Sequence, residues 1–385
     1  MKKGFVTSLI HPRGLEKDTS WLSMLTVVCI LFILWFGLRP KYWPEENKVR
    51  WLPNLHAIHF EPPAIAFVDR FTFGSDSEFT GEFTLHLAVT ASTLQKKGFR
   101  PLLMLHDGND SSQLAIWHWG GSVIIMNGDD YDFSRRLPRI SVPDVLHVGK
   151  ISFLTLSSGS SGTQFYIDGQ QARETDGWRL QIPEAKENLR LILGNSVYGR
   201  HSWYGEFHGL ALYGRSLSAN EVEKQYLKWR QTSSLEGLDS SQLKLLYNFT
   251  KGKGREVTDM SGTGNSLLIP ERPVILKKTF LSMPHKEIHS QSYWLDAFFN
   301  VVGFIPLGAL VFACFRYITG LRVRSAAGVS LGLCFGLSLF MELLQGWLPG
   351  RDSSMQDLVL NSLGGFMGIL LASFLVQLFR FRQPS

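Results

Sequence analysis

The sequence predicts a multi-domain membrane protein in which an all-β sandwich is combined with an α-helical transmembrane bundle, four transmembrane helices in total. Three observations predict it. Four apolar runs are each long enough to cross a hydrocarbon layer of about 30 Å at about 1.5 Å per helical residue. Between the first and second runs lies a polar, Gly-rich region of short alternating apolar segments, the texture of a sandwich. All three cysteines, Cys29, Cys314 and Cys334, fall inside apolar runs and none in the soluble region, which excludes a disulfide framework or a cysteine metal site there.

Residues 1–20 form a basic leader with Lys2, Lys3, Arg13 and Lys17, and the first span follows at 21–38. No small-x-small cleavage pattern comes after it, so it is expected to remain as an uncleaved anchor. The net charge of +6 does not mark a nucleic-acid surface, because several of the arginines flank apolar runs and form no stripe. They report orientation instead. Arg316, Arg322 and Arg324 between the second and third spans, and Arg380 and Arg382 in the tail at 380–385, place those ends in the cytoplasm. Both termini are then cytoplasmic, and the middle region, residues 51–290, is extracytoplasmic.

Within that region Phe83–Val89, Ile151–Leu156, Gln164–Ile167 and Phe207–Tyr213 read as strands. Gln164–Ile167 runs into Asp168-Gly169, a pair suited to a two-residue hairpin turn because both positions tolerate positive φ. Ser218-Ala-Asn-Glu221 has capping-box spacing for a helix through Val222 and Tyr226. The later stretch from Leu246 to Gly254 and on to Gly262 either closes the sandwich at its edge or forms a small satellite, being too short for a second core. The acidic loop Asp107-Gly-Asn109-Asp110 offers oxygen ligands for calcium. It lacks the sixth-position glycine of an EF-hand, and His118 stands where the bidentate Glu belongs, so solvated turns are the competing reading there and at Asp129-Asp130-Tyr-Asp132. Glycoside hydrolysis needs two carboxylates across the scissile bond, and no Glu-x-Asp-x-x-Glu strand is present, so binding is expected over hydrolysis. Trp117, Trp119, Trp203 and Tyr204 are candidates to stack on a sugar, with core packing as the alternative.

The order Tyr166-Ile-Asp-Gly169, Leu193-Gly194, Gly209-x-x-Leu212-Tyr213 and Leu217-Ser218-x-x-Glu221 resembles the laminin-G-like or concanavalin A-like jelly rolls over about residues 60–229. The resemblance implies an extracytoplasmic module that binds a saccharide or a protein.

The three further spans read 295–315, 326–347 and 358–379, within a bundle domain at 294–379. Ionisable groups inside spans are functional candidates because burying them in hydrocarbon is costly. Asp296 and Asn300 lie one turn apart near the expected outer end of the second span, Glu342 and Gln345 share a face in the third, and Asp357 and Asn361 do so in the fourth. Arg351 is the one cation near them, in Leu348-Pro-Gly-Arg-Asp-Ser-Ser354, and Ser353-x-x-Gln356 has capping-box spacing for the last span. An arginine beside a helix N-terminus suits an anion. Gly308, Gly364, Gly365 and Gly368 allow close helix contact, and Pro306 is expected to kink the second span below its polar turn. The polar groups alternatively only pair with each other and hold the helices together.

Asp296-x-x-x-Asn300 with Phe304-Ile-Pro-Leu-Gly308, Glu342-x-x-Gln345 with Pro349-Gly-Arg351, and Asp357-x-x-x-Asn361 with Gly364 resemble the VanZ-like family of small membrane proteins. The resemblance implies a bacterial cytoplasmic-membrane protein of the cell envelope, connected with glycopeptide tolerance or envelope polysaccharide. The expected partners are a lipid headgroup or lipid-linked glycan at the cluster and a saccharide or protein at the sandwich, with no cofactor beyond the calcium alternative. Two rival readings stand beside this one. They are an intramembrane enzyme or carrier acting on an isoprenoid-phosphate lipid through Glu342, and a purely structural display anchor.

Overall fold

A computed structural model of the chain describes residues 20–39, 46–74, 79–94, 98–130, 134–183, 188–282, 291–348, 351 and 353–381. The leader cations, Asp132, the Pro349-Gly350 step and Arg382 lie outside the described residues. Two compact units emerge, residues 1–41 with 278–385 and residues 42–277. Helix α1 (Ser20–Gly37) opens the chain's described part and belongs to the first of them.

Residues 42–277 are a two-sheet sandwich. Its strands are β1 (Val49–Leu52), β2 (Ala57–Phe60), β3 (Ala66–Val68), β4 (Phe83–Ala91), β5 (Arg100–His106), β6 (Leu114–Trp119), β7 (Ser122–Asn127) and β8 (Ile140–Val142). They continue as β9 (Ile151–Gly159), β10 (Gly162–Ile167), β11 (Gln170–Asp176), β12 (Arg190–Leu193) and β13 (Gly205–Tyr213), then helix α2 (Ala219–Thr232), β14 (Leu243–Asn248), β15 (Glu256–Val257) and β16 (Leu267–Leu268). One sheet runs β1-β2-β13-β4-β9-β10-β11, with β14 also on β13; the other runs β15-β16-β3-β12-β5-β6-β7-β8. Alternating side chains from both inner faces, among them Phe60, Leu87, Leu105, Ile116, Leu154, Leu193 and Phe207, make the central core.

Local chemistry explains the turns. Between β10 and β11, Asp168 and Gly169 both take positive φ, 51° and 78°, as a two-residue hairpin of this hand requires. At the start of α2 the Ser218 N–H donates to Glu221 Oε2 at 2.8 Å and its hydroxyl donates to the same oxygen at 2.7 Å. The helix lays Val222 and Trp229 on the outer face of the first sheet, over Phe153, Tyr166 and Tyr213. That face would otherwise expose aromatic residues to water.

The stretch after α2 closes the sandwich at the edges of both sheets and is no satellite. β2 pairs with β13 only from Gly205 to Phe207, which leaves Gly209–Tyr213 an open edge that β14 fills in antiparallel register. β16 pairs with β3 and carries β15, extending the second sheet. Buried Asp259 fixes this addition, accepting the N–H groups of Leu246 at 3.0 Å, Ser261 at 2.9 Å and Asn265 at 3.1 Å.

The other unit combines α1 with α3 (Gln291–Tyr317), α4 (Val323–Gln345) and α5 (Met355–Phe381). All four are long and apolar enough to cross a membrane, with mean hydropathy between 1.8 and 2.2. The α3–α5 contact is close because it is built on glycines. A Cβ on Gly364 would land on the Val301 carbonyl, one on Gly368 on the Ile305 carbonyl, and one on Gly308 on the Gly365 backbone. Gly365 faces Cys334 of α4. α3 runs helical through Pro306, whose ring is exposed. Trp347 lies just beyond the end of α4.

Candidate functional site

The polar residues of the bundle gather where α4 ends and α5 begins. Glu342, in the last turn of α4, is 1 % exposed, and its Oε2 accepts the Ser354 N–H at 2.7 Å. Ser354 is the N-cap of α5, its Oγ accepting the Asp357 N–H at 3.3 Å. The cap therefore falls one residue later than the Ser353-x-x-Gln356 spacing predicted. Ser353 is engaged elsewhere: its Oγ accepts the Leu281 N–H at 3.0 Å, and its carbonyl accepts the N–H and the hydroxyl of Ser282, both at 2.9 Å. Met355 returns an N–H to the Ser282 carbonyl at 3.1 Å. A carboxylate at the positive end of α5 is favourably placed, and Glu342 and Asp357 both stand there.

The segment Lys278–Ser282 thus lies on the α4–α5 turn. The Lys278 ammonium sits 3.0 Å from the Trp347 ring centroid, and Phe280 fills the space over Gly346, where a Cβ would meet its ring at 2.7 Å. Nothing in the sequence signalled this, since the five residues carry no motif and their partners lie some seventy positions on, as for Leu281 and Ser353 with a separation of 72.

Arg351 and Gln345 act on α1. Gln345 Nε2 donates to the Gly37 carbonyl at 2.8 Å, and Arg351 donates from Nε to the Arg39 carbonyl at 2.9 Å and from Nη2 to the Phe36 carbonyl at 3.2 Å. A cation on the last carbonyls of a helix satisfies orphan acceptors and complements the negative end of its dipole. Asn361, 2 % exposed, donates to Ser338 Oγ at 3.1 Å and ties α5 to α4. The structure therefore brings Glu342, Gln345, Arg351, Asp357 and Asn361 to one end of the bundle. Asn300 is half-buried and Asp296 exposed on α3, and the Val301–Gly364 approach sets them level with the first turns of α5.

In the sandwich the acidic loop is occupied by its own neighbours. Asp107 Oδ1 accepts the Asn109 N–H at 2.9 Å and both its oxygens accept the Ser112 hydroxyl, while Asn109 Oδ1 accepts the Ser111 N–H at 3.1 Å. Asp110 takes hydrogen bonds at 3.0 Å from His106, 2.6 Å from Tyr198 and 2.9 Å from Lys277. Burial opposes its ionisation, but these three hydrogen bonds and the Lys277 charge outweigh burial and hold its carboxyl well below the usual carboxylate range. Asp107 and Asn109 thus hold turns, and Asp110 pairs with the Lys277 ammonium. His118 points into the core, where Nδ1 accepts from Trp203 Nε1 at 3.0 Å and Nε2 donates to the Gly120 carbonyl, which fixes one tautomer. Asp130 likewise accepts backbone N–H groups from Arg135 at 2.9 Å and Leu137 at 2.8 Å. Among the described residues no group of three His, Cys, Asp or Glu side chains is arranged to hold a metal.

The aromatic candidates divide. Trp117 and Trp203 are core residues. Trp119 is 38 % exposed at the end of β6 and stacks on Phe99, centroids 5.8 Å apart and planes at 21°. Tyr204 is also exposed, edge-on to His59 at 5.5 Å.

Residues 244–377 match the VanZ/LLP1 family model, and residues 71–223 match a laminin-G model of the concanavalin A-like lectin/glucanases superfamily. The chain carries both domains and is a membrane protein. The VanZ/LLP1 match begins at β14, so it takes in the edge additions to the sandwich as well as α3, α4 and α5. Solved structures similar to the chain include a Bacteroides ovatus protein described as carbohydrate-binding, at 11 % identity and TM-score 0.39, covering 55 % of this chain and 60 % of that one. The CBM40 of the Ruminococcus gnavus IT-sialidase, bound to α2,3-sialyllactose, has 13 % identity and TM-score 0.31, covering 37 % of this chain and 82 % of that one. A Trypanosoma rangeli sialidase has 18 % identity and TM-score 0.37, covering 47 % and 28 %. No curated protein matches the chain.

Proposed function

We propose that this is a bacterial cell-envelope protein of the cytoplasmic membrane whose extracytoplasmic sandwich binds a saccharide, while the polar end of its bundle holds the phosphate of a lipid headgroup or lipid-linked precursor. The observation that carries the reading is the presence of a lectin/glucanase-type domain and a VanZ-like domain in one chain. Trp119, 38 % exposed and stacked on the half-buried Phe99, supports the first half, since a partly exposed indole offers a sugar an apolar surface. The scale is set by aromatic–aromatic pairs, worth about 0.5–1.5 kcal/mol. Trp119→Ala should therefore weaken binding of the detergent-solubilised chain on a glycan array about three- to tenfold. A binding profile unchanged by the substitution would remove Trp119 from the site.

Arg351 supports the second half. Two of its nitrogens donate to α1 carbonyls, and the half-buried guanidinium lies beside the N-terminus of α5. Arg351→Ala should lower the anionic lipid that co-purifies with the protein, as read by native mass spectrometry, and an unaltered lipid content would argue against headgroup binding. A tie to glycopeptide tolerance belongs to the same reading, and disruption of the protein should then lower the teicoplanin concentration its host survives.

One observation favours a second reading, in which the bundle only displays the sandwich: Gln345 and Arg351 both hold α1 by its carbonyls. Exchanging the spans for unrelated ones separates the two readings, because display alone predicts an intact phenotype.

A further inference from the structure

Helices α1 and α4 meet at one end and part below it. They are joined where Gln345 bonds the Gly37 carbonyl and where Met341 packs against Gly37. Further down, an apolar cleft of about 450 Å³ opens between Thr26 and Ile30 of α1 and Leu333, Gly336 and Phe340 of α4, floored by Val311 of α3. Its one hydroxyl is satisfied, Thr26 Oγ1 donating to the Leu22 carbonyl at 2.8 Å. Leu333 and Phe340 are half-exposed, so the mouth is continuous with the apolar surface of the candidate spans.

The size of the cleft selects its occupant. It lies within the range of about 300–1,000 Å³ usual for ligand pockets. A helix about 10 Å across and 5.4 Å in pitch would fill that volume with roughly one turn, so the cleft suits a single flexible chain better than a helix of a second copy. Close-packed interiors do not keep such a space empty when hydrocarbon is at the mouth.

We propose that the α1–α4 cleft receives one hydrocarbon chain of a membrane lipid, and that this is the lipid whose phosphate Arg351 meets at the closed end of the same seam. The second clause rests on the headgroup reading above. The first stands on the cleft alone. Ile30 lies six residues before Phe36, whose carbonyl Arg351 holds, so chain and headgroup sites are separated by about 9 Å along α1. The ligand class is a lipid engaged through a single chain and an anionic head.

Gly336 supplies the test, because a Cβ there meets nothing within 4 Å, so a leucine can enter the cleft without disturbing the helices. Gly332, equally open but outside the cleft lining, is the matched control. Native mass spectrometry of the full chain in mild detergent should show a lipid adduct whose occupancy falls about tenfold in Gly336→Leu and is unchanged in Gly332→Leu. Adduct retained in Gly336→Leu, absent from the unsubstituted protein, or replaced by a dimer that the substitution disrupts overturns the cleft proposal. Loss in Gly336→Leu with retention in Arg351→Ala keeps the cleft and removes the headgroup reading; the reverse pattern removes the cleft alone.

Discussion

Gly368→Val should leave little correctly assembled protein. The glycine lies where α5 touches α3, and a Cβ there would fall on the Ile305 carbonyl and within 2.8 Å of the Ala309 nitrogen, both backbone atoms that no rotamer change can move. Overpacking costs about 1–3 kcal/mol when side chains can adjust, and this contact sits at or above the top of that range because the two helices must separate along their length. Gly332→Val on α4, where a Cβ meets nothing within 4 Å, is the control. Fluorescence-detected size-exclusion chromatography of the two variants in detergent should show a collapsed or aggregated profile for the first and a parental profile for the second. Equal profiles would mean that the α3–α5 contact is not set by these glycines.

Acidification should destabilise the sandwich. His86 is completely buried beneath α2, its Nδ1 paired with Thr155 Oγ1 at 2.8 Å and its Nε2 with Gln225 Oε1 at 2.6 Å. Burial lowers its pKa from 6.5 to about 4, against a smaller upward pull from the Gln225 hydrogen bond. Well above pH 6.5 neither folded nor unfolded chain protonates this side chain, and its full contribution is present. As pH falls from 6.5 toward 4 the unfolded chain takes up a proton that the fold excludes, so stability is lost across that window, by about 3 kcal/mol if the shift holds in full. His118 and His208 are lowered by burial too and add to the same trend. The urea midpoint of tryptophan fluorescence should fall steadily over that range, and His86→Leu, though less stable throughout, should show a shallower slope. A slope identical in both proteins would contradict a neutral His86.

Features set by local chemistry were legible in the sequence. The Asp168-Gly169 turn needs two residues that accept positive φ, and Ser218 with Glu221 closes its cap within four residues, so neither depends on distant partners. The spans were legible because hydrocarbon burial leaves a composition signal that needs no partner. The features that were not legible share the opposite property. β14 is placed by the length of β13 that β2 leaves unpaired, a fact of register absent from β14 itself. Ser353 and Ser354 have equivalent cap chemistry, and the Ser353 hydroxyl accepts the Leu281 N–H while Ser354 caps α5. Arg351 stood out in the sequence for its place beside a helix N-terminus, but its bonds to α1 carbonyls, one of them 312 positions earlier, leave no local signal. The α1–α4 cleft is a gap, and no residue pattern marks where two helices part.

Substituted-cysteine labelling tests the central claim most directly, that the sandwich lies outside the cytoplasm and the bundle's tail inside. Cys29, Cys314 and Cys334 all lie in the spans and can be replaced by alanine to give a silent background. A single cysteine at exposed Ser240 in the sandwich should react with a membrane-impermeant maleimide on intact cells, while one at Ser385 should react only after lysis. Labelling of Ser385→Cys on intact cells, with Ser240→Cys protected until lysis, would invert the orientation and contradict the account.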